Sequence, residues 1–71
     1  MAKRKIHQID HTTAMGTVHT VKVYRDAEYN EYVVKQWSGD VLQDSEYFTS
    51  DKKDALDTAN WIIERVKRQF A

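Results

Sequence analysis

The stretch DKKDALDTANWIIERVKRQF, Asp51 to Phe70, decides the fold, because its apolar residues recur at helical spacing. Ala55, Leu56, Ala59, Ile62, Ile63, Val66 and Phe70 gather on one side of a helix. Thr49 or Ser50 is placed to cap the first turn. Asp51 and Asp54 put negative charge where the helix macrodipole favours it, and Arg65, Lys67 and Arg68 put positive charge at the other end. One residue breaks the pattern. Trp61 falls nearly opposite the apolar stripe, among Asp54, Asp57, Glu64, Arg65 and Arg68, and an indole in that company reads either as packing outside this helix's own core or as a contact surface. Arg65, four residues on, is placed to stack on the ring, and Arg68 flanks it.

Upstream of the helix the period changes from that of a helix to that of a strand. Thr17 to Arg25 is rich in β-branched residues, with Val21 and Val23 on one face and Val18, Thr20, Lys22 and Tyr24 on the other. Asp26-Ala27-Glu28-Tyr29-Asn30 reads as a hairpin connection, Glu31 to Trp37 as the return strand, and Ser38-Gly39-Asp40 as the next turn. Val41 to Phe48 gives a third strand with weaker alternation, and Lys5 to His11 a candidate fourth at an edge. The expected fold class is α+β: a three-stranded antiparallel β-meander, four-stranded if Lys5 to His11 joins it, with one C-terminal α-helix packed on one face. The chain is read as a single domain, 1–71, with residues 1–5 as a flexible basic arm.

Two registers suit this sheet. In the preferred one Val21, Val23, Tyr32 and Val34 meet Leu56, Ala59, Ile63 and Val66, which leaves Lys22, Tyr24, Lys35 and Trp37 on the open face. The other puts Val33 and Trp37 inside and Tyr32 outside, since both faces of that strand carry apolar residues.

Seventy-one residues support one small core, and with no Cys neither a disulfide nor a thiolate metal site can staple it. The net charge is zero but unevenly spread. Residues 1–25 carry five bases and one acid, residues 26–57 nine acids and three bases, and residues 58–71 three bases and one acid. Such a chain has no global field to draw it onto nucleic acid, so phosphate contacts need a local patch. Met1 to Lys5 is basic but precedes polar residues, so no signal peptide is expected, no stretch is long enough to span a bilayer, and with no Cys a cytoplasmic setting is the default expectation.

The residue types argue against catalysis. Ser38, Ser45 and Ser50 sit in turn, strand or cap contexts without a neighbouring His, and one small core gives no deep cleft to shift carboxylate pKa values. His7 and His11 would share a helix face with Asp10, and His19 would complete a metal site from the next strand, but Ile6 and Ile9 alternate with polar residues as in a strand, which parts the histidines. They read as surface or turn histidines, and no metal or cofactor is expected. Each Gly stands alone, so there is no phosphate-cradling loop. What remains is surface. Trp61, Arg65 and Arg68 on the helix, and Lys22, Tyr24, Lys35 and Trp37 on the open sheet face, are the candidate partner-binding residues. The four sheet residues also suit nucleic acid, with Lys3-Arg4-Lys5 as an accessory arm, and an uncovered sheet face suits a homodimer.

Two stretches, His19-Thr20-Val21-Lys22-Val23-Tyr24-Arg25-Asp26 through Tyr32-Val33-Val34, and Tyr47-Phe48-Thr49-Ser50-Asp51-Lys52-Lys53-Asp54-Ala55 through Thr58-Ala59, resemble the short accessory proteins of tailed bacteriophages and prophages. The resemblance covers the strand pair and the start of the helix. It implies a non-enzymatic interaction protein in the cytoplasm of a bacterial host, binding and modulating a host or phage protein, and it carries no residue role across.

Overall fold

The computed structural model describes residues 3–43 and 46–70, the last by its backbone only. Met1, Ala2, Ser45 and the Phe70 side chain, which the sequence reading places in the arm, a strand and the apolar stripe, lie outside the described residues. The elements run β1 (Lys3–Thr12), β2 (Val18–Asp26), β3 (Glu31–Ser38), β4 (Val41–Leu42), β5 (Tyr47–Thr49) and α1 (Lys52–Phe70). All pairs are antiparallel: β1 with β2, β2 with β3, and both β4 and β5 with β3. The fold is the α+β meander with one helix on one face.

The register is the preferred one. Val23 stands opposite Val34. With Val21 these residues pack against Ala55, Ala59 and Ile63, and Tyr32, Leu56 and Ile62 close the sides. Alanines at two helix positions let the backbone of α1 approach the valines closely, so a core of small side chains still fills. Val33 and Trp37 point the other way, yet Val33 is fully buried, flanked across the sheet by Tyr24 and Phe48. The open face therefore carries a small apolar centre of its own.

Several boundaries differ from the sequence reading, each for a local reason. β1 is longer than expected and takes in the basic residues: Lys3, Arg4 and Lys5 pair with Asp26, Arg25 and Tyr24, where the sequence suggests a separate arm. A register shift between Lys5 and His7 lets Ile6 and Ile9 both pack on the core, although residues three apart in a regular strand face opposite sides. The expected strand from Val41 to Phe48 is two short strands. Leu42 opposes Trp37 and Tyr47 opposes Val34, so partners five apart in this stretch face residues three apart on β3, an excess of two. Because the excess is even, Tyr47 keeps to the helix side and Phe48 to the open side.

The helix cap is Asp51, not Thr49 or Ser50. Its Oδ1 accepts from the Lys53 amide at 3.1 Å and its carbonyl from Ala55 at 3.0 Å, while Thr49 Oγ1 accepts from the Asp51 amide at 3.2 Å. Asp26 does similar work in the hairpin, accepting from the Glu28 amide at 3.1 Å, and Asn30 takes φ +50° there. These roles rank by burial. Ile63→Ala is expected to cost about 2–5 kcal/mol in urea unfolding and Asp51→Ala about 1 kcal/mol; equal losses would show that Ile63 is not a core residue.

Candidate functional site

On the open face Lys22 lies directly opposite Lys35, an arrangement that repels unless each ammonium leans away. They lean in opposite directions. Lys22 Nζ lies 4.6 Å from the Trp37 ring centre, and Lys35 Nζ lies 5.5 Å from that of Tyr24 and 3.7 Å from Glu46 Oε2. Each lysine thus finds a diagonal aromatic, and the four expected residues form one interlocked group. A face of each ring is covered as a result. A base stacking on that face would first have to displace the very ammonium that would otherwise meet its phosphate. Phe48, 51% exposed, and Leu42 extend the apolar part of this surface.

On the helix side Trp61 is 55% exposed and Arg65 lies over its ring at 5.4 Å. The indole does not stand on a flat surface. It rims a depression of about 320 Å³ lined also by Val34, Gln36, Tyr47, Ile62 and Arg65. A second of about 260 Å³ shares Gln36, Ile62 and Arg65 with the first, and a third of about 490 Å³ shares His19, Ser38 and Gln69 with the second and reaches exposed Met15. Together they make a trough between the C-terminal half of α1 and the polar end of the sheet. Tyr47 is held in its wall by a hydrogen bond, its hydroxyl donating to Asp54 Oδ2 at 2.6 Å.

The sequence-predicted residues therefore fall into two groups on opposite layers. Lys22, Tyr24, Lys35 and Trp37 come together on one, Trp61 and Arg65 on the other. Arg68 is exposed near the end of α1, and no ion pair or ring contact joins it to either group among the described residues. Sequence reasoning missed Tyr47 and Gln36. The signal for Tyr47 was the pair Tyr47-Phe48, adjacent aromatics that a strand must send to opposite faces. The histidines separate as a strand requires, except that His19, opposite His11 in the sheet, is 5% exposed and so neither a surface nor a turn residue. Among the described residues no group of three His, Asp or Glu is placed to hold a metal ion, and no helix is long and apolar enough to cross a membrane.

No protein-family model matches the chain, and no curated protein or solved structure matches it either.

The Tyr47 tether has a pH signature. The hydrogen bond to the Asp54 carboxylate, then partial desolvation and the carboxylate charge, hold the phenol above its ordinary value of 10.0. Folding thus favours the protonated phenol, so the contact contributes fully below the ordinary value and is lost as pH rises through the higher one. Ultraviolet titration should show a tyrosine ionisation above pH 10.0 that Tyr47→Phe deletes and Asp54→Asn moves down; no movement in Asp54→Asn would break the assignment.

Proposed function

We propose that the chain is a non-enzymatic interaction protein that binds a partner protein through the Trp61 side of its helix. The observation that carries this is an indole left more than half exposed at the rim of a trough and steadied by Arg65. Aromatic and arginine side chains at the mouth of a concavity are what protein interfaces use as anchors. The resemblance to phage accessory proteins fits a host protein as the partner and the bacterial cytoplasm as the setting.

Neither nucleic acid nor self-association is as well supported. The lysines on the open face are spent on Trp37, Tyr24 and Glu46, and Lys3 to Lys5 are strand residues. A two-fold dimer over that face would oppose the central Lys22–Lys35 pair to its own copy, a like-charge contact.

Immobilised protein washed with bacterial lysate at about 0.5 M salt, where surface charge is largely screened, should retain a protein that Trp61→Ala releases. Equal retention by the variant, or nucleic acid retained at low salt with no protein held at high salt, would contradict the reading.

A further inference from the structure

We infer that the trough beside α1 receives a short extended peptide segment of the partner, one that carries an acidic side chain next to an apolar one. This deepens the protein-binding reading and rests on it. Along the helix the lining runs from Thr58 to Gln69, about 16 Å at 1.5 Å per residue. That is the span of about five residues of extended chain. The three depressions, of about 320, 260 and 490 Å³, follow one another along that line, a row of separate hollows that suits the side chains of an extended segment better than a helix about 10 Å thick.

The charge of the segment follows from Arg65. Its guanidinium lines both of these depressions and lies over Trp61, and it makes no ion pair or hydrogen bond among the described residues. The carboxylate in the wall, Glu46, already faces Lys35 at 3.7 Å. A guanidinium lying over an indole at 5.4 Å, with no ion pair or hydrogen bond of its own among the described residues, is complementary to a carboxylate. Beside it Trp61, Tyr47 and Ile62 form the apolar wall, which sets the neighbouring residue of the segment. Gln36 and Gln69 supply neutral amides that donate and accept as a peptide main chain requires.

The test is to pan a displayed random heptapeptide library on the full chain and to measure synthetic copies of the enriched peptides by fluorescence. Enrichment of Asp or Glu next to Phe, Leu or Ile is expected. Arg65→Glu should weaken those peptides by about tenfold or more and shift enrichment to Lys and Arg. Arg65→Lys should keep the acidic preference, and Trp61→Ala should abolish binding. Absence of enrichment, or peptides indifferent to Arg65→Glu, would overturn the inference. Peptides lost only in Lys22→Glu or Lys35→Glu would overturn it too, while leaving a protein-binding role in place. Displacement of the peptides by a single-stranded oligonucleotide would assign Arg65 to phosphate and overturn both readings.

Discussion

The packing of Ala55, Ala59 and Ile63 onto Val21, Val23 and Val34 is the contact on which the rest depends. A helix about 10 Å wide covers about two strands at ~4.8 Å spacing, and this sheet is wider. α1 lies over the β1–β2–β3 centre, so among the described residues no helix contact covers the helix-facing surface near β4. The side chains there are Gln36, Ser38 and Gln43 together with the exposed Val41, a mostly polar composition. The trough is thus a geometric consequence of one helix on one sheet, and Trp61 stands at its rim because that turn of the helix faces the gap.

The open face obeys a different constraint. Placing Lys22 across from Lys35 costs repulsion, which Trp37, Tyr24 and Glu46 offset by drawing the ammonium groups apart. With Val33 buried beneath Tyr24 and Phe48, the face is stabilised by its own contacts. At the sheet's other boundary, the long edge strand β1 carries lysines and an irregular register at Ile6, features that discourage pairing with another strand.

Much of this was legible in the residues. The apolar period of Ala55 to Val66 named both the helix and its buried side, and Val21 with Val23 named the sheet face beneath it, so Trp61 was outside by simple geometry. What escaped depended on contacts between segments. The extent of β1 is set by pairing with β2, and no property of Lys3-Arg4-Lys5 alone distinguishes a strand from a tail. The break between β4 and β5 reflects an even excess of residues, which leaves the alternation of Val41 to Phe48 intact and so invisible. Burial of His19 and Val33 comes from what lies across the sheet. The cap escaped because Thr49, Ser50 and Asp51 all have capping side chains, and only the backbone selects among them.

The central claim is that this domain keeps its fold and its contact surface on separate side chains, with Trp61 belonging wholly to the second. Urea unfolding of Trp61→Ala measures that directly. The account predicts a loss within about 0.5 kcal/mol of wild type, as for a surface substitution, with an unchanged slope. A loss of about 3–5 kcal/mol, the cost of truncating a core aromatic, would place the indole inside and contradict the account.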